Sequence, residues 1–296
     1  MEKFTETWPK AFLPLMGVPI AQFAVDRLVH QNLSKIVINV HAHPDLSKQM
    51  IRQLDFGTCS FDMSDESDEL LGSAGGILQA TQFFKKSTFL VLNAEPVCDF
   101  SIRPLLEEHA RLKEKYGVVM TMAALSSGKG QSYRELLFNQ ERDLVTGLGK
   151  MQTDKPFYIG HCVMEPEALA YVPKKGPSEF YPTILEPWAQ RGKIGAWHVD
   201  SEFFDVGSPK NWWDAHQNLL PLLNEGSKEI SNLAKRIQKS SPGQYDDRSY
   251  WERCKKDWGQ DQRVVAYGAS PSHQKDCLLF NDVTWFAKSE SFSEPT

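Results

Sequence analysis

The sequence predicts an α/β protein with a mixed, mostly parallel β-sheet covered by helices on both faces. Two runs of apolar and β-branched residues, KIVINV at 35–40 and STFLVLN at 87–93, are typical of buried parallel strands. Helical patterns lie before and after each run. Strands that alternate with helices indicate βαβ units, and such units build a parallel sheet.

Each further element is assigned from the spacing of its apolar residues and from the Gly and Pro residues at its ends. In chain order we predict a helix at 21–31, a strand at 35–40, a helix at 44–54, a strand at 58–63, an acidic loop at 62–69, a helix at 71–84, a strand at 87–93, a helix at 102–116 and a strand at 118–124. Beyond about Gly149 hairpin-like strands replace this alternation, with helices at 181–191 and 211–223.

The chain divides into two predicted units, an α/β domain at 1–223 and a C-terminal extension at 224–296. The extension is polar, with a charged helical patch to Lys239, the loop SSPGQYDDRS and two short apolar strands within 264–286. Its last ten residues carry little that could be buried, so we expect the extension to be partly disordered.

Composition excludes several classes of function. A net charge of −5 with no block of Lys or Arg argues against nucleic-acid binding. No apolar run approaches the ~20 residues that span a bilayer, and the first residues do not form a signal peptide. Five cysteines without a CxxC spacing indicate neither zinc nor disulfides, so we expect reduced thiols and a cytoplasmic location. A homo-oligomer is compatible with the sequence.

Two glycine- or proline-shaped segments are candidates for ligand binding. The first, TETWPKAFLPLMGVPI at 5–20, fixes its backbone with Pro and relaxes it with Gly, and so holds Lys10 in a defined place. The second, GSAGG at 72–76, begins a helix and would let backbone amides approach an anion or a carbonyl. The alternatives are an ordinary surface lysine and a plain turn.

Two acidic residues complete a candidate phosphate site. Glu95 follows the strand at 87–93, and the carboxyl ends of parallel strands are where α/β sheets bind ligands; the alternative is a solvated loop acid. Asp205 lies in the apolar segment FFDVGSP, where a carboxylate needs a partner or a metal. With Lys10, two carboxylates suit Mg²⁺-assisted phosphate chemistry.

Six segments, in the same order, resemble motifs of the sugar-1-phosphate nucleotidyltransferase family, over roughly three quarters of the chain. They are TETWPKAFLPLMGVPI, LGSAGGI, VLNAEPVCDF, FYIGHCVMEPEAL, SEFYPTILEPW and FFDVGSPKNWWDAHQNLL. The resemblance implies a Rossmann-like fold of the GT-A type. It also implies transfer of a nucleotide from a nucleoside triphosphate to a sugar 1-phosphate, with release of pyrophosphate.

The resemblance also implies a role for each matching residue. Lys10 would meet the triphosphate and take part in catalysis with Asp205. Gly75 and Gly76 would hold the base through the backbone, and Glu95 and Asp205 would ligate Mg²⁺. Lys150 would meet the sugar phosphate, and Gly160 and Glu179 would contact the sugar. For Lys150 the alternative is an unremarkable turn lysine.

The chain departs from the family pattern in two places. The family opens with a strand and a glycine-rich loop ending in Gly-Thr-Arg, which wraps the triphosphate and precedes the lysine matched by Lys10. The sequence as given leaves no room for them, so we expect the coding frame to continue upstream of Met1. Without that strand and loop we expect unpaired strand edges and slow turnover. The second departure is Glu95, followed by Pro96, where the family has Asp.

Three functions are therefore open. The first is the nucleotidyltransferase, with base and sugar unspecified. The second is a non-catalytic regulatory homologue that binds a nucleotide sugar, which the Glu95 departure favours. The third is a cytidylyl- or uridylyltransferase that acts on another phosphate, such as a phosphorylated alcohol.

Overall fold

The computed structural model describes residues 8–29, 31, 33, 35–84, 87–126 and 133–240, together with the backbone of three short strands between 264 and 286. The α-helices are α1 (Ile20–Val29), α2 (Pro44–Ile51), α3 (Gly72–Ala80), α4 (Arg103–Tyr116), α5 (Glu186–Ala189), α6 (Pro209–Glu225) and α7 (Ser231–Ser240). The strands are β1 (Pro14–Leu15), β2 (Val18–Pro19), β3 (Lys35–Val40), β4 (Ser60–Asp65), β5 (Phe89–Leu92), β6 (Pro96–Cys98), β7 (Met120–Leu125), β8 (Tyr133–Phe138), β9 (Val145–Gln152), β10 (Phe157–Met164), β11 (Ile194–Val199), β12 (Phe203–Asp205), β13 (Val264–Ala266), β14 (Cys277–Phe280) and β15 (Val283–Phe286).

A six-stranded mixed sheet forms the larger half of the molecule, and the predicted α/β class is confirmed. Its order is β11-β7-β10-β8-β9, with β5 on the other part of β10. Strand β10 is antiparallel to β5, β7 and β8, whereas β11 is parallel to β7. Strands β5, β7 and β11 therefore share one direction, as expected for βαβ units, and β10 reverses it.

A second, two-stranded parallel sheet pairs β3 with β4. Strand β3 bonds only β4 and strand β5 only β10, so each has one edge without a strand partner within the described part of the chain. The residues of both strands line one cavity of about 1130 Å³, which we call the central cavity. Strand edges without a partner, which we expected, are therefore present among the described residues, on two strands that line the same cavity.

The segment that carries Lys10 is held in place by α6. After a single 3₁₀ turn at Lys10–Phe12, strands β1 and β2 form a tight hairpin whose turn residue Met16 has a φ of 51°. The Met16 amide donates to His216 Nε2 at 3.3 Å, and Trp212 Nε1 donates to the Pro14 carbonyl at 2.9 Å. Two side chains one turn apart on α6 therefore fix a hairpin about 200 residues earlier in the chain.

Helix α7 of the predicted extension packs against the domain. Leu233 and Ile237 of this helix, with Ile230 just before it, belong to the buried cluster that also contains residues of the Lys10 segment and α6. Arg236 donates to both oxygens of Asp26 on α1. The packed unit therefore continues to Ser240, past the domain boundary that we placed at 223.

Several predicted bounds need correction. Strand β4 runs to Asp65, so the first part of the predicted acidic loop is strand. The helix predicted at 181–191 is a π-helical turn at Tyr181–Leu185 followed by the short α5, because Pro187 has no N–H to continue the α-helical pattern. The short pairing of β6 with β12 was not predicted. Three strands replace the two predicted within 264–286, and the last ten residues lie outside the described residues. No helix in the described part is long and apolar enough to cross a bilayer.

Candidate active site

Lys10 and Glu95 line the central cavity at one end, and Asp205 lies beside them, behind the cavity-lining Tyr133. Lys10 Nζ lies 2.9 Å from Glu95 Oε2. The pairing of β6 with β12 places Asp205 opposite Pro96, the residue after Glu95. A Cβ added to Gly207 would lie 2.9 Å from Asp205 Oδ1 and 3.9 Å from Lys10 Nζ. The structure thus brings together the lysine and the two acids that the sequence predicted as a phosphate site.

Asp205 is half-buried and accepts hydrogen bonds from three neutral groups. Its Oδ2 accepts from Tyr133 Oη at 3.0 Å and Asn211 Nδ2 at 2.8 Å, and its Oδ1 accepts from the Gly207 amide at 2.7 Å. Burial, and next the nearby Asp205 carboxylate, raise the pKa of Tyr133, so that its hydroxyl stays a donor. These three donors stabilise the Asp205 carboxylate. The apolar residues around it in the sequence are therefore not, by themselves, a reason to expect a bound metal.

Glu95 and Asp205 have the right donor chemistry for Mg²⁺, which prefers carboxylate oxygens. In the structure the Lys10 ammonium forms an ion pair with Glu95. A Mg²⁺ ion bound to Glu95 would replace part of that ion pair. Among the described residues, no group of three or more His, Cys, Asp or Glu is arranged to hold a metal ion. Substrate phosphates and water would therefore supply the other ligands, as is usual for Mg²⁺.

Glu179 lies at the mouth of the cavity, against the start of α3. Its Oε2 accepts from Ser73 Oγ at 2.7 Å, and the same hydroxyl accepts from the Phe180 amide at 2.8 Å. The amides of Ala74 and Gly75 donate to the Ser178 carbonyl at 2.8 and 3.2 Å. The carbonyl of Ser178, just before Glu179, therefore binds helix amides that the sequence predicted to face a ligand.

The two glycines predicted to hold the base face different surroundings. Gly76 lines the central cavity, and a Cβ on it would lie 2.6 Å from Glu66 Oε1 and 2.7 Å from Asn39 Nδ2. Gly75 instead faces Leu71, with a Cβ position 3.0 Å from the Leu71 side chain. Of the pair, Gly76 is the one on the cavity wall.

Gly160 has a φ of 78°, in a bulge of β10. A Cβ there would lie 2.3 Å from Asn93 Nδ2, so the glycine makes room for the Asn93 side chain, which lines the cavity. Gly160 itself is not among the residues that line the cavity.

Lys150 is exposed on β9 and is not part of the cavity wall. On the neighbouring strand Arg134 lines the cavity, with its guanidinium 5.0 Å from the centre of the Tyr181 ring. The sequence analysis missed Arg134, because charged residues are common on exposed strands and only the fold brings this one to the cavity.

The chain is similar to known proteins in sequence and in fold. The family model described as nucleotidyl transferase matches residues 3–133. The predicted resemblance to the sugar-1-phosphate nucleotidyltransferases is confirmed by this match and by the similar proteins described next. Lys10, Gly76 and Glu95 lie within the matched residues, whereas Glu179 and Asp205 lie beyond them.

Named relatives of this family are distant. The chain is 25% identical over 255 residues to UTP–glucose-1-phosphate uridylyltransferase of Synechocystis, covering 77% of this chain and 61% of that one. It is 24% identical over 215 residues to the mannose-1-phosphate guanylyltransferase catalytic subunit beta of Xenopus tropicalis, covering 72% and 59%. The chain thus spans about three fifths of the length of these relatives. The crystal structure of HddC from Yersinia pseudotuberculosis has the same fold, with a TM-score of 0.60 at 17% identity over 72% of this chain and 90% of that one.

Proposed function

We propose that this protein transfers a nucleoside monophosphate from a nucleoside triphosphate to a sugar 1-phosphate. The observation that carries the proposal is that Lys10 and Glu95 pair on the wall of a cavity that is also lined by Gly76 and Glu179, with Asp205 next to this pair. One cation and two acids at one end suit a polyphosphate, and the cavity is large enough for a nucleotide and a sugar together. A cytoplasmic location is part of the proposal.

The reaction needs positioning and charge stabilisation rather than a covalent intermediate. A phosphate oxygen of the sugar 1-phosphate attacks the α-phosphorus, a new P–O bond forms, and the bond to the bridging oxygen breaks so that pyrophosphate leaves. Lys10 stabilises charge on the phosphates, and Tyr133 and Asn211 orient Asp205. Glu95 and Asp205 would hold Mg²⁺, which spreads phosphate charge when bound. Glu179 would bind sugar hydroxyls, and Arg134 is placed to meet the sugar phosphate.

The test is pyrophosphate release by the chain with Mg²⁺, measured for four nucleoside triphosphates against a panel of sugar 1-phosphates. We expect one pair to give pyrophosphate and an equal amount of nucleotide sugar, identified by mass. Lys10→Met should slow release by about 100-fold or more. The matched control is Lys210→Met, because Lys210 also makes an exposed ion pair, at 2.7 Å from Asp214. Equal rates for the two variants would contradict the role of Lys10.

A regulatory homologue that binds a nucleotide sugar is the second candidate. The ion pair of Glu95 with Lys10 favours it, because that pairing engages the two residues that catalysis would need. Glu95→Gln separates the candidates. A transferase should lose most of its pyrophosphate release in this variant, whereas a regulator should bind nucleotide sugar as the parent does and release no pyrophosphate in either form.

A further inference from the structure

Ser73, in the first turn of α3, makes the contact that fixes the Glu179 side chain. Glu179 is exposed on the cavity wall, where a long acidic side chain samples several rotamers unless a neighbour holds it. The Ser73 hydroxyl donates to Glu179 Oε2 at 2.7 Å and accepts from the Phe180 amide at 2.8 Å. One hydroxyl therefore contacts both the carboxylate and the backbone just after it.

The other carboxylate oxygen of Glu179 packs against the backbone of the same helix. A Cβ added to Gly72 would lie 2.7 Å from Glu179 Oε1, and Gly72 has a φ of 70°, which favours glycine. An ionised carboxylate can accept about four hydrogen bonds, and the Ser73 hydroxyl takes only one of these positions. The fixed carboxylate can therefore still accept hydrogen bonds from a ligand in the cavity.

The backbone on either side of Glu179 is also held by contacts that do not involve this hydroxyl. The Ser178 amide donates to the Leu71 carbonyl at 2.7 Å. The Phe180 ring stacks on the Tyr158 ring, with their centres 5.6 Å apart. Loss of the hydroxyl should therefore release the Glu179 side chain and leave the course of the backbone unchanged.

We propose that Ser73 is a positioning residue of the sugar site, which orients the Glu179 carboxylate to accept hydrogen bonds from hydroxyl groups of the sugar 1-phosphate. The inference rests on the proposed function, which places the sugar at Glu179. A carboxylate that is already fixed loses less rotamer freedom when the sugar binds, so the sugar binds more tightly. Ser73 acts on the sugar through Glu179 and takes no part in the chemical step.

The kinetics of Ser73→Ala test this role, with the pair of substrates that gives pyrophosphate in the parent. We expect the KM for the sugar 1-phosphate to rise about 10-fold, because a hydrogen bond to a charged group is lost. The kcat and the KM for the nucleoside triphosphate should change by less than about 2-fold, since only binding of the sugar is weakened. Ser73→Thr keeps the hydroxyl at an exposed position and should restore the KM of the parent. An equal rise in both KM values would overturn the role.

A double variant separates orientation of Glu179 from a direct contact between Ser73 and the sugar, because Ser73 also lines the cavity. If Ser73 acts through Glu179, Ser73→Ala should not raise the KM for the sugar 1-phosphate any further once Glu179→Ala has removed the carboxylate. An effect of the same size in both backgrounds would show that Ser73 acts independently of Glu179, and it would overturn the proposal.

Ser67→Ala is the matched control. Ser67 is also exposed and its hydroxyl also donates to a carboxylate, that of Asp65, but Ser67 is not among the residues that line the cavity. This variant should have the kcat and both KM values of the parent. A rise in the sugar KM equal to that of Ser73→Ala would contradict the specific role of Ser73.

The outcomes separate this inference from the proposed function. Pyrophosphate release by the parent, together with an unchanged sugar KM in Ser73→Ala, would overturn the role of Ser73 and leave the proposed function intact. No pyrophosphate release by the parent with any pair of the panel would contradict the proposed function, and this inference with it.

Discussion

Two strands of the six-stranded sheet, β7 and β5, have similar apolar sequences but are buried to different degrees. All six residues of β7 (Met120–Leu125) are buried, and its neighbours β10 and β11 cover both of its edges. None of the four residues of β5 (Phe89–Leu92) is fully buried, because one edge of β5 faces the cavity. Apolar sequence alone therefore does not determine burial; pairing at both strand edges does.

This difference coincides with the division between scaffold and site. The residues proposed to contact substrate lie on segments that border the cavity, such as the Lys10 segment, the residues after β5 and, at Arg134, strand β8, rather than on the fully buried strand β7. Elements with fewer buried contacts open more easily and are where ligand-binding segments usually lie. The buried strands of the six-stranded sheet, such as β7, then supply most of the stability, and the strands that border the cavity supply the binding surface.

The largest expected effect comes from a matched pair of leucines. Leu125→Ala in β7 removes a side chain that is completely buried and should lower the free energy of unfolding by about 2–5 kcal/mol. Leu92→Ala in β5 removes a side chain that lines the cavity and should cost about 1 kcal/mol, since no packed neighbours are lost on that side. Urea denaturation measures both, and equal losses would contradict the comparison.

Acid should loosen the Lys10 segment through His216. Burial lowers the pKa of His216 to about 4, whereas in the unfolded chain it is about 6.5. The unfolded chain therefore binds the proton first as pH falls, so the stabilisation is complete above pH 6.5 and is lost towards pH 4. This group accounts for about 3 kcal/mol of that loss.

His216→Gln isolates this contribution, because the buried His109 and His161 also have lowered pKa values and titrate in the parent. The difference in unfolding free energy between parent and variant should shrink by about 3 kcal/mol from pH 7 to pH 4. If the parent–variant difference in unfolding free energy stays constant over this range, folding does not lower the pKa of His216.

A smaller effect is expected from two glycines with the same backbone conformation. Gly160 and Gly176 both have a φ of 78°, but only Gly160 has a neighbour, Asn93, within contact distance of an added Cβ. Gly176→Ala should cost about 1 kcal/mol for the strained backbone alone. Gly160→Ala should cost a further 1–2 kcal/mol or so, because Asn93 must move. Equal thermal midpoints for the two variants would show that the Asn93 side chain moves aside without a measurable loss of stability.

The sequence predicted the fold and part of the site through local signals. Lys10 lies in a segment shaped by Pro and Gly, and Glu95 and Asp205 lie at the end of an apolar strand and within an apolar segment, so each could be identified without knowing its partners. Ser73 could not be identified in this way, because the sequence predicted only backbone contacts for the segment at 72–76. Only the fold brings it beside Glu179, 106 residues later in the chain.

Contacts between distant segments account for the other omissions. His216 and Arg134 looked like ordinary polar residues of a helix and a strand, and their roles depend on segments about 200 and about 50 residues away. The break at Tyr181–Leu185 did have a local signal in Pro187, which the helical pattern of the surrounding apolar residues outweighed in our prediction.

A crystal structure of the chain with a bound nucleotide sugar tests the central claim most directly. We expect one molecule in the central cavity, with its base against Gly76, its diphosphate near Lys10 and Asp205, and its sugar at Glu179. A ligand bound outside this cavity, or an empty cavity at a ligand concentration that saturates binding in solution, would contradict the account.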